Sequence, residues 1–478
     1  MSTPLENLLR NARIDLVLSR IENDQSVINE VIKNLDSEMR SVKFNSILVL
    51  GQIGQKSEKG IPKLIELLED DDWSIIREAV RSLGKIGNIA KNAVPKLSSL
   101  LENKEVSIRK EAAIALGKIR SATTESISSL IRACNDENEE VRTEVVKSFG
   151  ELGPDAHEAI PELMRCLKDV NWTVRTASAQ SITLIGKGST TAIPSLINAL
   201  EDSDWRVRYR VINTLAEIGE DTVPSLLNML SHKNGIVRKG AIDALNEMKI
   251  ADSKIINNIS LLLKDSVEAV RGKAADALRN IGKDAVPALN EALDNASTKM
   301  KRIIISALGG IGKDAIQAIP TVINKLDYPS QKVEYSQSFF SSLKRMVLTF
   351  FTDPLSRKAS IRVEAARALG KIGIDSKDAV NALEHALNDP KYIVRREAAL
   401  SLGKLGSDST NTIPTLIKTL NDRNPDVRWR ASEALGVIGI NTDSVISGLN
   451  NLIHDVCDYV CESAINAIDL ISDQPVED

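Results

Sequence analysis

A chain of 478 residues with only 3% aromatic side chains does not suit globular domains centred on Phe, Tyr and Trp, and points to something repetitive and aliphatic. Its 61 Lys and Arg against 65 Asp and Glu create no one-signed field that would hold nucleic acid or an anionic membrane. No apolar run reaches the roughly 18–20 residues that cross a bilayer, the first residues lack an apolar core behind a basic flank, and four cysteines make no disulfide framework; the expectation is a cytoplasmic, unexported chain without membrane insertion.

In chain order, residues 1–24 come first, and the amphipathic stretch 4–21 predicts one N-terminal capping helix. From 25 to 327, and again from 358 to 472, the chain repeats itself. Arg109, Arg142, Arg175 and Arg208 follow one another at steps of 33, as do Arg362, Arg395 and Arg428. A recurring Leu-Gly pair carries this register to Lys43, Ile76, Arg238, Arg271, Lys301 and Cys461, with two steps shortened to 30, for about thirteen units. In "VRREAALSLGKLG" the apolar residues Val394, Ala398, Leu402 and Leu405 form one buried stripe of a helix, here called A. Glycines such as Gly87, Gly373 and Gly406 stand where a left-handed residue closes that helix. Segments such as "NTIPTLIKTL" follow, with Pro in the first turn of a second helix, B. A pair this short cannot bury its apolar stripe alone. Successive pairs must stack, so the expected fold is all-α, an α-solenoid whose antiparallel helix pairs form a right-handed superhelix.

Six residues before the register Arg an Asp recurs: Asp136/Arg142, Asp169/Arg175, Asp202/Arg208, Asp265/Arg271, Asp389/Arg395 and Asp422/Arg428. At the turn into helix A such a carboxylate can accept turn amides and a guanidinium together, which makes the column a structural ladder. An anion-binding stripe fits less well, because each Arg has its own Asp. Stacking is expected to loosen where the ladder fails, at Ile76, Glu334 or Cys461. Trp73, Trp172 and Trp205 fall in the first turn of helix A and are expected to cover the turn between units.

The exposed columns of helix B, expected on a concave surface, are the first candidate for a protein partner. Lys96, Arg132 and Arg165 make a mildly basic region there, and Asn198 and Asn228 offer uncharged hydrogen bonding. Neither carries the aromatic side chains on which single-stranded nucleic acid stacks. Residues 328–357 interrupt the repeats and hold four of the six Phe. Phe339, Phe340, Leu343, Met346, Val347, Phe350 and Phe351 describe a helix with a wide apolar face, the second candidate partner surface. That stretch reads as an inserted helix or as a degenerate repeat in which Ser341 and Ser342 replace Leu-Gly. His454, Cys457 and Cys461, with Asp455 and Asp458, have helical spacing for a partial metal site, but all lie on one terminal segment, and neither metal nor cofactor is expected. Residues 473–478 read as an acidic tail.

These repeats resemble the HEAT-like repeat family, in particular the short repeats of phycobilin lyase subunits, over nearly the whole chain, and the six Asp/Arg pairs match the ladder of that family. The resemblance implies a solenoid and a non-catalytic protein–protein interaction scaffold or adaptor. It also implies an alternative, phycobilin lyase-like bilin attachment or chaperoning, for which Arg132, Arg165 and Glu162 could supply the groups that hold a tetrapyrrole. Iron-dependent hydroxylases with such repeats use several His-Glu pairs, whereas this chain has only His157-Glu158. DNA glycosylases of related fold need a basic concave surface that the charge balance does not supply.

Overall fold

The computed structural model describes residues 4–186, 188–326 and 354–472. Every regular element among them is helical. The chain divides into two compact units, Met1–Met248 and Lys249–Asp478.

In the first unit seven A helices follow one another: α1 (Arg40–Ile53), α2 (Trp73–Ile86), α3 (Val106–Ile119), α4 (Glu139–Leu152), α5 (Trp172–Ile185), α6 (Trp205–Ile218) and α7 (Gly235–Glu247). The second unit holds α8 (Glu268–Ile281), α9 (Thr298–Ile311), α10 (Pro354–Ile372), α11 (Tyr392–Leu405), α12 (Pro425–Ile438) and α13 (Asp458–Ser472). Short B helices such as Ile160–Cys166, Ile193–Ala199 and Ile413–Thr419 alternate with them. The start of an A helix is built by two side chains. Asp136 accepts the amide of Asn138, and Asn138 in turn caps α4 by accepting the amides of Glu140 and Val141. Asp72, Asn171, Asp204, Asn234 and Asn424 cap their helices in the same way. At the far end Gly87 closes α2 with φ of 79°, as expected. Gly373 does not adopt this conformation, and Asp375 takes a left-handed φ of 65° two residues later.

Each unit has one apolar seam. In the first, Leu64, Leu97, Leu130, Leu163, Leu196 and Leu226 of successive B helices are fully buried, and Leu83, Phe149, Ile182 and Leu215 of the A helices meet them. At roughly 1.5–3 kcal/mol for each fully buried side chain of this size, the seam is the main source of stability.

The Leu-Gly column has a function that its helix-ending neighbours obscure. A Cβ placed on Gly84 would stand 3.0 Å from Ala115 Cα, on Gly117 3.1 Å from Ser148 Cα, and on Gly403 2.9 Å from Ala434 Cα. Glycine lets consecutive A helices touch backbone to backbone, each facing the residue 31 positions later. Gly309 makes the same contact, 3.1 Å, with Ala368, which lies 59 positions later. Helix α9 therefore packs directly on α10, and the B helix Ile319–Leu326 contacts the B helix Lys377–Ala386.

One expectation changes here. The single N-terminal helix is two, Leu5–Arg10 and Ile14–Asn23, broken where Ala12 takes φ of 53°. Residues Phe339, Phe340, Leu343, Met346, Val347, Phe350 and Phe351, like the tail 473–478, lie outside the described residues. The stretch Thr298–Leu326 is apolar and helical enough to count as a membrane-crossing candidate by composition. It is, however, a 14-residue and an 8-residue helix separated by the turn 312–318, with non-helical Ala315 between them, and each piece is shorter than the roughly 20 residues a bilayer requires.

Candidate functional site

The register arginines are paired, but one repeat further on than the sequence spacing suggested. Arg142 donates through Nε and Nη2 to the two oxygens of Asp169, at 2.8 and 3.0 Å, not to the carboxylate of Asp136. Its Nη1 donates to the backbone carbonyl of Asp136 at 2.8 Å. Arg109–Asp136, Arg175–Asp202, Arg362–Asp389, Arg395–Asp422 and Arg428–Asp455 repeat this two-pronged pairing. Lys43–Asp70 begins the series at 2.9 Å. Each guanidinium thus ties its own turn to the next one, and the pairs are nearly dry: Arg362 and Asp389 side chains are both 3% exposed. Burial would raise the Asp169 and Asp422 carboxyls, but the guanidinium and the turn amide together hold both below the ordinary value.

The ladder lapses at both shortened steps. His232 and Asn295 stand at the Asp position there, and among the described residues Arg208 and Arg271 keep only turn carbonyls, Asp202 and Ser203 for the one, Asp265 and Ser266 for the other. His232 Nδ1 still accepts the amide of Asn234 at 3.2 Å. The imidazole replaces the carboxylate toward the turn and not toward the guanidinium. At Ile76, by contrast, the ladder lapses simply because no charge is present.

A second ladder, unforeseen from sequence, runs along the A helices at a spacing of 30. Arg81 reaches Glu111 at 2.6 Å, Lys110 reaches Glu140 at 2.6 Å, and Arg367 meets both oxygens of Glu397.

The helix B stripe is also neutralised. Lys96 pairs with Glu69, Arg132 with Glu102 at 3.5 Å, and Arg165 with Glu162 on its own helix at 2.5 Å. The expected basic region is therefore a row of ion pairs between and within repeats. Asn198 and Asn228 are exposed on the same columns, as expected. Of the tryptophans, Trp172 bridges units: the guanidinium of Arg206, one repeat later, lies 3.5 Å from its ring centroid. Trp205 is 65% exposed.

An apolar groove lies elsewhere, on α11, α12 and α13. Leu400, Trp429, Val437, Tyr459 and Leu470 line a groove of 470 Å³, rimmed by Lys404, Arg430 and Glu462. Val437 and Leu470 are 58% and 55% exposed. Trp429 is held by the edge of Tyr459 at 5.6 Å and by Arg430 at 3.7 Å, and Tyr459 Oη donates to Asp426 at 3.0 Å. These aromatic contacts fix the groove floor while the aliphatic wall faces solvent. Sequence reasoning missed it because Leu400, Trp429 and Leu470 come from three repeats.

His454, Cys457 and Cys461 do not converge on a metal position. Asp455 is taken by Arg428, and Cys461 Sγ donates to the Asp455 carbonyl at 3.1 Å. The thiols that do meet were not paired in the sequence reading. Cys134 and Cys166, both buried, and the Glu162 carboxylate offer ligand atoms within 4.8 Å of one another. A hydrogen bond to Cys166, and burial after it, push the Cys134 thiol up. The spacing of 32, one short of the repeat, was the available signal: it makes the two residues diagonal neighbours on successive B helices.

Stacked helix pairs joined by an Asp/Arg ladder define an α-solenoid. The HEAT repeats profile matches residues 28–117, 94–183, 193–256 and 355–412, more than half of the chain, and the chain belongs to the HEAT repeat family. A single HEAT repeat is matched at 412–441 and a PBS lyase HEAT-like repeat at 270–295. No curated protein matches the chain in sequence. Among solved structures, that of Kap121p is similar over 96% of this chain, at 14% identity and a TM-score of 0.52. The chain spans about half of Kap121p, 51% of its length, so the likeness is one of fold. Importin beta is similar at 12% identity and a TM-score of 0.41, over 96% of this chain and 81% of its own. The CpcE–CpcF complex of phycocyanin lyase from Nostoc is similar over 49% of this chain and 92% of its own, at 23% identity and a TM-score of 0.31.

Proposed function

We propose that the chain is a non-catalytic scaffold or adaptor that holds protein partners. The groove on α11 to α13 carries this reading: a solvent-facing aliphatic wall of Val437 and Leu470 over a fixed aromatic floor. Such a groove suits an apolar side chain presented by a protein segment, with Lys404, Arg430 and Glu462 at the rim to set its orientation. The uncharged B-helix positions Asn198 and Asn228 are the second surface, suited to hydrogen bonding along an extended partner. Because α9 packs directly on α10, the part of 328–357 that precedes α10 is read as an insertion between repeats, available to a partner.

The bilin-attachment alternative has no comparable support. The cations that would hold tetrapyrrole propionates are engaged, Arg132 with Glu102 and Arg165 with Glu162.

Affinity purification of the tagged chain from its native host, repeated with Val437→Asp and Leu470→Asp, tests the proposal. A stoichiometric protein that is lost with both variants, while circular dichroism of each variant is unchanged, is the expected result. A partner set identical for wild type and both variants removes the groove from the proposal, and a coloured adduct formed on co-expression with a bilin source and a phycobiliprotein overturns the scaffold reading.

A further inference from the structure

We propose that Cys134, Cys166 and Glu162 form a binding site for one zinc-class divalent cation, two sulfur ligands and one oxygen ligand contributed by two successive repeats. The positions argue for it. In neighbouring repeats the place of Cys134 is held by Leu101, Leu167 and Leu200, and the place of Cys166 by Leu100, Ala133 and Ala199, so two thiols replace aliphatic side chains at one point of an otherwise apolar seam. Both are 2% exposed, while Glu162, one helical turn before Cys166 on the same face, is 17% exposed. Residues four apart on a helix present their side chains together, and Cys134, at the end of the preceding B helix Thr124–Ala133, completes a triangle of ligand atoms within 4.8 Å.

Sulfur ligands select zinc and its softer relatives over magnesium or calcium. A tetrahedral zinc with bonds of about 2.0–2.3 Å spaces its ligand atoms by roughly 3.5–4 Å, so small rotations of three side chains suffice to close on the ion. Glu162 is partly exposed, so water can reach the ion and complete the shell. Charge is balanced as well. Two thiolates and a carboxylate against a divalent ion leave one negative charge, and the Arg165 guanidinium is present to offset it, bonded to Glu162 Oε1 and to the Cys134 carbonyl. Binding replaces two thiol protons with the cation and releases them to solvent, with no oxidant or reductant required.

The full-length chain, purified metal-free under reducing conditions, is titrated with Co²⁺ and then competed with Zn²⁺, reading the thiolate-to-cobalt absorption band and the melting temperature. One equivalent is expected, with a rise in melting temperature on Zn²⁺ addition. Cys134→Leu and Cys166→Ala introduce residues that neighbouring repeats already carry at those places, so both are expected to keep the fold by circular dichroism while weakening binding by about 100-fold or more; Glu162→Gln is expected to weaken it about 10-fold. The proposal is overturned by a reduced wild type that shows no such band. It is equally overturned by a band that persists in both cysteine variants, by one that is lost with Cys457→Ala or Cys461→Ala instead, or by recovery of a Cys134–Cys166 disulfide in a chain that takes up no metal after reduction.

Discussion

Replacing Arg395 by Met keeps the length and packing of the side chain and removes its charge. In the native fold Arg395 donates at 2.6 and 2.8 Å to the two oxygens of Asp422 and at 2.8 Å to the carbonyl of Asp389, with side chains 8% and 11% exposed. The substitution leaves Asp422 a carboxylate in a nearly dry turn, with only the amide of Asn424 still donating to it, and leaves the Asp389 carbonyl without its guanidinium. Removing one partner of a buried pair costs about 3–5 kcal/mol, against about 0–1 for an exposed one. Asp422→Asn in the same chain relieves the stranded charge, so the double variant is expected to lie about 2 kcal/mol above the sum of the two single losses. Stability in a repeat array is local; the assay is therefore amide hydrogen exchange of α11 and α12 alongside urea unfolding followed by circular dichroism. A loss below about 0.5 kcal/mol for Arg395→Met, or additive single and double variants, would show that the ladder is a surface ornament and would refute its role as an interrepeat tie.

Acid should act through the same carboxylates. Asp169, Asp422 and Asp455 have folded-state pKa values below the ordinary 3.8, so their stabilisation is complete well above that value and is lost as pH falls through the folded-state values. Asp72, held down to about 2 by Ser74 and then by Arg40, extends the loss toward pH 2, and a pH series of urea midpoints should be flat near neutrality and fall below about pH 4. Gly403→Val drives its Cβ against Ala434 Cα, only 2.9 Å away, and is expected to cost about 1–3 kcal/mol. Gly272→Ala, whose Cβ meets nothing within 4 Å inside α8, is expected to gain about 0.5–1 kcal/mol in the same unfolding assay. His232→Asp supplies the missing ladder carboxylate for Arg208 and should stabilise by about 1 kcal/mol, measured as slower hydrogen exchange in α6 and α7.

The repeats were legible because one buried stripe and one Gly recur at a fixed step, and a fixed step has a single physical solution, stacking. The ladder partner was not legible for an arithmetic reason: Arg142 lies 6 residues after Asp136 and 27 before Asp169, and in a 33-residue period both spacings recur equally often. Only the geometry decides, and it gives the nearer Asp the carbonyl contact and the farther one the carboxylate contact. The break at Ala12 carries no Gly or Pro to announce it. The apolar groove and the Cys134, Cys166 and Glu162 triangle draw their members from different repeats, so each is visible only once the step of the stack is known. The A helices' second ladder was hidden in the same way, since Arg81 and Glu111 are 30 apart and each looks, in sequence, like an ordinary solvated charge.

The tie between Arg142 and Asp169 has a consequence for how such a chain can grow. Copying or excising one whole 33-residue module hands each arginine an equivalent acid from the newly adjacent module, so every crosslink is restored without any compensating substitution. An insertion or deletion of another length has no such guarantee, and the two three-residue losses in this chain coincide with two rungs, Arg208 and Arg271, that keep only turn carbonyls among the described residues. Lengthening by duplication is thus nearly free of structural penalty, whereas slippage within a module is recorded permanently as a severed link.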